Sequence, residues 1–228
     1  ITEKLYLNDH INFLKFRSIK PPGMLVHPVG RHVYNTLINY LHHRYHEKDE
    51  NVVPRLCHRL DKDTTGLVVV AKDAYVHREV MYQFENRLLH KEYLALVHGR
   101  LPEGFSRVDL PIGEGRCLRS SLEHEQLKPS STSLATEAEF EDYALIRCTP
   151  HTGRQNQIRI HLSASGYPIV GDQRFGNVSP PFGFPQRHLL HSEKLRFYHP
   201  RLKTDIELCA PPAADFQTLV EELAHDAP

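Results

Sequence analysis

Residues 58–72 read HRLDKDTTGLVVVAK and place a polar turn, rich in Asp and Thr, directly before a short apolar run. The run LVVVA at 67–71 is β-branched and wholly apolar, which predicts a buried strand. A turn that leads into such a strand holds its side chains on a rigid scaffold, where a site can be built. Asp61 is therefore a candidate catalytic carboxylate. In the alternative interpretation, Asp61 or Asp63 only accepts hydrogen bonds from nearby backbone N–H groups of an Asx turn.

The rest of the chain mixes helical and extended patterns without a regular βαβ order. Apolar residues at helical spacing predict four helices, at 33–47, 73–88, 155–164 and 213–225. Apolar runs and alternating residues predict strands at 91–99, 135–150, 188–200 and 204–212, with mostly loops between 101 and 133. These patterns indicate an α+β fold.

The composition is that of a globular protein with a core of its own. The chain has 228 residues, of which 40% are hydrophobic and 25% are charged, unlike a disordered protein. The sequence has no apolar run near the roughly 18 residues that span a bilayer, and its first residues lack the pattern of a signal peptide. We therefore expect one domain over residues 1–228, cytoplasmic, away from membranes and monomeric.

Charge is segregated along a chain whose formal net charge is zero. Between Arg147 and Lys203, nine Lys or Arg residues stand against two acids, whereas the segment from Asp205 to the end has six acids and neither Lys nor Arg. A basic stretch inside a neutral protein favours local contact with a polyanion. The alternative is a set of unrelated solvated faces.

The spacing of cysteine and histidine fits no familiar metal or disulfide pattern. The four cysteines lie far apart and form no C-x-x-C pair, so we expect reduced thiols. The 17 histidines include His42, His43 and His46 on one predicted helix, but the sequence contains no H-E-x-x-H and no second cluster with zinc-site spacing. We therefore expect no bound metal.

A second unusual block, TGRQNQIRIHL at 152–162, carries several amide and guanidinium groups. If this block is an amphipathic helix, Gln155 and Arg159 share a polar face one turn apart, opposite Ile158 and Leu162. Arg159 could then bind a carboxylate or a phosphate. The alternative is an ordinary amphipathic helix with solvated arginines.

Together, these blocks resemble a known enzyme family. KPPGMLVHP near the start, HRLD with T-x-G after it, and TGRQNQIR followed by GDQRFG occur in the order and at the separations of the RluA family of pseudouridine synthases. The resemblance extends over roughly residues 20–216. It implies the pseudouridine synthase fold, an α+β fold with a mixed, mostly antiparallel β-sheet, flanking helices and a central active-site cleft. It also implies an isomerase whose partner is structured RNA, and chemistry without a metal or organic cofactor. The S4-type RNA-binding domain that many members carry is not recognisable.

The resemblance also implies roles for individual residues. Asp61 would be the catalytic carboxylate, which attacks the sugar or takes a proton from it when the N-glycosidic bond breaks. Tyr93 would stack on the freed uracil, unless it is simply a core aromatic of its strand. Arg159 would keep Asp61 ionised by its opposite charge. The target base must be flipped out of the RNA, and phosphate contacts would offset that cost. The candidate RNA-binding residues are Arg59, Arg154, Gln157, Arg174, Arg187 and Arg196.

Three features depart from the family's pattern. Asn156 stands where a histidine is usual, Phe175 replaces the tyrosine of G-D-x-x-Y-G, and residues 13–19 are more polar than the strand that normally precedes K-P-x-G.

The resemblance as a whole predicts an RNA pseudouridine synthase acting on ribosomal or transfer RNA, and two alternatives stay open. One is a catalytically idle RNA-binding relative. The other is a hydrolase of glycosidic bonds that uses Asp61 with Asp63 or Asp172.

Overall fold

The structure is a computed structural model that describes residues 17–31, 33–47, 52–113, 127–176 and 183–225. The chain divides into two compact units, residues 1–90 with 192–211 and residues 91–191 with 212–228. The elements are β1 (Arg17–Lys20), α1 (Leu37–Glu47), β2 (Arg55–Leu56), β3 (Thr65–Ala71), α2 (Ala74–Glu85), β4 (His90–His98), β5 (Arg107–Val108), β6 (Thr132–Glu139), β7 (Tyr143–Pro150), α3 (Gln157–Ala164), β8 (Leu190–His199), β9 (Thr204–Cys209) and α4 (Ala214–His225).

The first unit is built around β3. All seven residues of this strand are buried, as its continuous apolar run predicts. β3 pairs antiparallel with β1 and with β2, and β8 pairs antiparallel with β9. Helix α2 packs Val76 and Val80 into a core that also contains Leu67 and Phe197. Of the polar stretch at 13–19, residues 17–19 lie in β1, whose backbone pairs with β3, while residues 13–16 lie outside the described residues.

Gly66 lets two backbones of the first unit approach closely. Its φ angle is +107°, and a Cβ atom at this position would collide with the backbone of Ser192. Only glycine tolerates both conditions. The glycine of the T-x-G motif is thus a packing requirement at the start of β3.

The second unit is an antiparallel sheet covered by helices. β4 pairs with β7, β7 with β6, and β6 with β5. Leu96 and Ile146 from this sheet, Leu162 from α3 and Phe216 from α4 share one core. Burial of these side chains is the main favourable contribution to the stability of the unit.

The structure confirms the α+β class and the mostly antiparallel sheet. The helices predicted at 73–88 and 213–225 and the strand predicted at 67–71 form within a few residues of the expected bounds. Helix α1 begins at Leu37 rather than at residue 33, because the side chain of Asn39 donates to the Val33 carbonyl oxygen at 2.7 Å and holds the preceding residues in a loop. Among the described residues, no helix is long and apolar enough to cross a bilayer.

The amphipathic interpretation of residues 155–164 is wrong. Helix α3 begins at Gln157, so Gln155 does not lie on it, and its first six residues, Gln157–Leu162, are all buried. A helix of eight residues surrounded by the protein has no solvent-facing stripe. The arginine of this helix is therefore buried and not solvated.

Candidate active site

Asp61 lies in the turn between β2 and β3 of the first unit, and its side chain is half-buried. The turn is tied down on both sides of this residue. Before it, the backbone N–H of Val69 donates to His58 Nε2 at 3.0 Å. After it, the carbonyl oxygen of Lys62 accepts a hydrogen bond from Lys20 Nζ at 2.6 Å. The carboxylate is thus carried by a turn with fixed ends, next to a strand that is buried throughout.

Lys20 is fully buried, with 0% of its surface exposed. Its ammonium group donates to the carbonyl oxygens of Pro21, Met24 and Lys62 at 2.9, 3.0 and 2.6 Å. A buried cation requires such partners, because burial removes it from water. Lys20 therefore links the end of β1, the loop after it and the Asp61 turn. Sequence reasoning assigned no role to this residue, since its partner Lys62 is 42 positions away.

Arg59 is exposed on the same turn. The pKa of His27 lies below its ordinary value, first because of burial and second because of the positive charge of Arg59. His27 is therefore neutral at pH 7. Arg59 supplies an exposed positive charge two positions before Asp61.

Tyr93 lies on β4 in the second unit, opposite Cys148 on β7. Its side chain is half-buried and packs against the core of that unit. The ring is therefore held by the sheet. Its role toward a uracil base stays a prediction.

Arg159 is buried in the second unit and forms a two-pronged ion pair. Its Nε and Nη2 donate to the two carboxylate oxygens of Asp172 at 2.7 and 2.9 Å. Burial alone would raise the pKa of Asp172, but the hydrogen bonds and charge of Arg159 lower it below its ordinary value. Asp172 is thus ionised at neutral pH. Bidentate pairing of this kind also fixes the plane of the guanidinium group.

Asn156 and Phe175, which depart from the motifs of the RluA family, both contact Arg159. Asn156, which has a φ of 55° and precedes α3, accepts a hydrogen bond from Arg159 Nη1 at 3.0 Å. The Phe175 ring lies 4.8 Å from the Arg159 guanidinium carbon and 5.1 Å from that of Arg174. Both residues therefore help to hold Arg159.

Gln157 is 4% exposed, and its amide group is fully engaged by the protein. The amide oxygen accepts from the Thr152 hydroxyl and from the Arg154 N–H at 2.6 and 3.1 Å. The amide nitrogen donates to the Ser131 carbonyl oxygen and to the Thr132 hydroxyl at 2.9 and 3.0 Å. These bonds connect the start of α3 to β6. They argue against the predicted contact of Gln157 with RNA.

The remaining predicted RNA contacts differ in their exposure. Arg187 is 8% exposed and donates to both carboxylate oxygens of Asp215 at 2.7 and 2.8 Å, which argues against a phosphate contact. Arg154 is half-buried, with Nη2 donating to the Pro129 carbonyl oxygen at 3.3 Å. Arg174 is exposed, and Arg196 is exposed with an ion pair to Asp205 at 2.8 Å.

In the part of the chain that the structure describes, no group of three or more His, Cys, Asp or Glu residues could hold a metal ion. His42 and His43 are exposed on α1, and His43 lies 3.2 Å from Glu47. Cys57 and Cys148 are buried thiols and Cys209 is an exposed one, while Cys117 lies outside the described residues.

Comparisons with known proteins point to a single family. A family model described as RNA pseudouridylate synthase matches residues 19–164. Uncharacterized RNA pseudouridine synthase YlyB of Bacillus subtilis is 35% identical over 216 residues, which are 90% of this chain and 68% of that protein. Ribosomal large subunit pseudouridine synthase D of Pseudomonas aeruginosa is 35% identical over 239 residues, 98% of this chain and 72% of that protein. The chain spans about two thirds of the length of several such relatives.

Solved structures agree with these sequence matches. The structure of human RNA Pseudouridylate Synthase Domain Containing 4 is similar to this chain with a TM-score of 0.74 and 26% identity, over 91% of this chain and 89% of that one. The structure of human RNA Pseudouridylate Synthase Domain Containing 1 has a TM-score of 0.71 and 27% identity, over 93% and 92%.

Proposed function

Because the chain belongs to the RNA pseudouridylate synthase family, a family of isomerases, we propose that it converts specific uridines of structured RNA to pseudouridine with Asp61 as its catalytic carboxylate. The observation that carries this proposal is the anchoring of the Asp61 turn at the end of a fully buried strand, by His58 before it and Lys20 after it. Side chains held in this way are suited to catalysis, which requires fixed geometry.

The chemistry explains why a carboxylate is needed. Isomerisation breaks the bond between the sugar and N1 of uracil, turns the base and joins the sugar to carbon 5. An ionised Asp61 would either attack the sugar or take a proton from it. In both routes the glycosidic carbon gains cation character as its bond to N1 breaks, which favours a neighbouring anion. We assign Tyr93 to stacking on the detached base and to accepting the proton that leaves carbon 5. We assign Arg159 to keeping the catalytic carboxylate ionised.

Several relatives are named ribosomal large subunit pseudouridine synthases, and we propose large-subunit ribosomal RNA as the first substrate to test, with transfer RNA as the second. The exposed Arg59, Arg174 and Arg196 are the side chains that we assign to phosphate contacts. We further propose that the protein acts in the cytoplasm as a monomer with one catalytic domain and without a metal or organic cofactor.

Tritium release from RNA labelled at uridine carbon 5 tests the proposal. Wild type and Asp61→Asn are compared on separate pools of unmodified ribosomal and transfer RNA. Release by wild type alone would assign Asp61 and name the substrate class. If wild type binds RNA but releases no tritium from either pool, the proposed activity is refuted.

An idle RNA-binding relative is the main competing function, suggested by Asn156 and Phe175. Because both residues contact Arg159, these substitutions leave the guanidinium anchored. RNA binding that survives Asp61→Ala, together with no turnover by wild type, would favour this alternative.

The hydrolase alternative loses support from the state of Asp172. This carboxylate is 2% exposed and its pKa is lowered by Arg159, so it cannot supply a proton as a general acid at neutral pH. A hydrolase would release free base, whereas an isomerase returns every atom to the RNA. A mass measurement of intact RNA after the reaction separates the two.

A further inference from the structure

The hydrogen bonding between the β2 and β3 segments changes directly after β2 ends at Leu56. The register places Arg55 opposite Ala71 and Leu56 opposite Val70, so that Cys57 comes opposite Val69. Two residues at such a position of an antiparallel pair normally exchange two backbone hydrogen bonds. One is present, from the Cys57 N–H to the Val69 carbonyl oxygen at 2.9 Å. The Val69 N–H donates instead to His58 Nε2 at 3.0 Å, so the imidazole replaces a backbone carbonyl.

Helix α2 fixes the orientation of the His58 ring. The ring stacks on Phe84, with a centroid distance of 4.7 Å and an angle of 25° between the planes. A second residue of the same helix supports this strand end, since His77 Nε2 lies 3.2 Å from the Leu56 carbonyl oxygen. The imidazole is therefore held by a hydrogen bond at its edge and by an aromatic ring at its face.

This arrangement defines the protonation state of His58. A backbone N–H can only donate, so Nε2 must carry a lone pair and the neutral ring must hold its proton on Nδ1. An imidazolium ring, or the opposite tautomer, would leave the Val69 N–H without this acceptor. Val69 is fully buried, and an unsatisfied buried N–H is costly.

We propose that His58 is a positioning residue for catalysis: by taking the place of the Cys57 carbonyl, its neutral imidazole sets the direction in which the chain leaves β2 and so places Asp61. This inference rests on the proposed function of Asp61. Leu60, between the two, is 7% exposed and gives the turn a third fixed point. A displacement of about 1 Å in a catalytic group can lower the rate about 100-fold.

Two substitutions separate the hydrogen bond from the ring stack. His58→Phe keeps an aromatic ring against Phe84 but removes the acceptor, whereas His58→Gln offers an amide oxygen to the Val69 N–H. His42→Phe, on the exposed side of α1, is the matched control. We expect His58→Phe to lower the single-turnover rate of pseudouridine formation by about 10- to 100-fold, with the Kd for RNA within about twofold of wild type. His58→Gln should recover most of the rate, and the control should match wild type.

A spectroscopic measurement tests the same inference independently of activity. The nitrogen chemical shifts of the His58 ring, assigned by comparison with His58→Gln, should show an unprotonated Nε2 and a protonated Nδ1 at pH 7. A protonated Nε2 would overturn the inference. Because this measurement uses the wild-type ring, it tests the inference even if His58→Phe does not fold. A His58→Phe variant as fast as wild type would also overturn it. If wild type makes no pseudouridine, the proposed function is refuted, and so is the catalytic role of His58. The nitrogen chemical shifts of the ring would still test whether His58 accepts the hydrogen bond from the Val69 N–H.

Discussion

Three long cationic side chains lie buried in the described residues, and each is surrounded by oxygen atoms. Lys20 donates hydrogen bonds to three carbonyl oxygens, Arg159 to the side chains of Asp172 and Asn156, and Arg187 to the carboxylate of Asp215. A charge taken out of water is stable only with such partners, and removal of one partner costs more than the pair contributes. A substitution of one of these side chains, or of its partner, should therefore lower the free energy of unfolding.

Lys20→Met should lower the free energy of unfolding by about 3 kcal/mol, because three carbonyl oxygens lose a buried charged donor. Urea unfolding followed by circular dichroism measures the change. Lys62→Met is the matched control, since that side chain is exposed and only its carbonyl oxygen meets Lys20. Equal stability of the two variants would contradict the anchoring role of Lys20.

Asp172→Asn should lower the free energy of unfolding at pH 7 by about 3 kcal/mol, since it removes the carboxylate that forms the two-pronged ion pair with the buried Arg159. Because the pKa of Asp172 is lowered in the folded protein, its stabilising contribution is complete above its ordinary pKa of 3.8 and is lost as the pH falls through the lowered pKa. The difference between variant and wild type should therefore shrink at acid pH. Chemical unfolding at pH values above and below 3.8 measures the difference, and a difference that stays constant below pH 3.8 would contradict the ion pair.

At the scale of the elements, the beginnings of the helices differ in how well local sequence predicts them. Asp73 precedes α2 and accepts a hydrogen bond from the Val76 N–H at 2.9 Å, the usual N-cap arrangement. Helix α3 begins after Asn156, whose side chain makes no capping bond and turns to Arg159 instead. A local signal therefore exists for α2, whereas α3 depends on contacts distant in sequence.

Asp73→Ala should lower the free energy of unfolding by about 1 kcal/mol, because the first turn of α2 loses its cap. Asp73 also accepts from Arg201 Nε at 3.1 Å, an exposed pair that should contribute little. Thermal unfolding of Asp73→Ala, Asp73→Ser and Arg201→Ala separates the two contributions. The serine variant should stay near wild type, and a loss in Arg201→Ala as large as in Asp73→Ala would contradict the capping role.

At the scale of the whole molecule, zero net charge conceals an uneven distribution of charge. The basic side chains between Arg147 and Lys203 differ in their exposure. Arg159 and Arg187 are buried in ion pairs, while Arg174 and Arg196 are exposed. Only the exposed arginines can release counterions when RNA binds.

The salt dependence of RNA binding should reveal this division. Arg174→Ala and Arg196→Ala should each reduce the slope of log affinity against log salt concentration by about one unit, if each contacts one phosphate. Arg187→Ala should leave the slope unchanged and lower the melting temperature instead, because Asp215 loses its partner. Filter binding at four salt concentrations measures the slopes. A flatter slope for Arg187→Ala would show that burial does not exclude it from RNA.

The local pattern of the chain is sufficient for β3, for α2 with its cap, and for the turn that carries Asp61. A continuous apolar run, a helical period and a polar turn are properties of neighbouring residues, and each survives in the fold because no distant contact opposes it. Arg159, Gln157 and Arg187 could not be placed in this way. Their burial depends on Asp172, Ser131 and Asp215, which lie 13, 26 and 28 positions away. His58 belongs to the same class, because it accepts a hydrogen bond only once the chain brings it beside Val69, 11 positions away. Whether a polar side chain faces RNA or supports the protein is therefore settled by packing between distant segments.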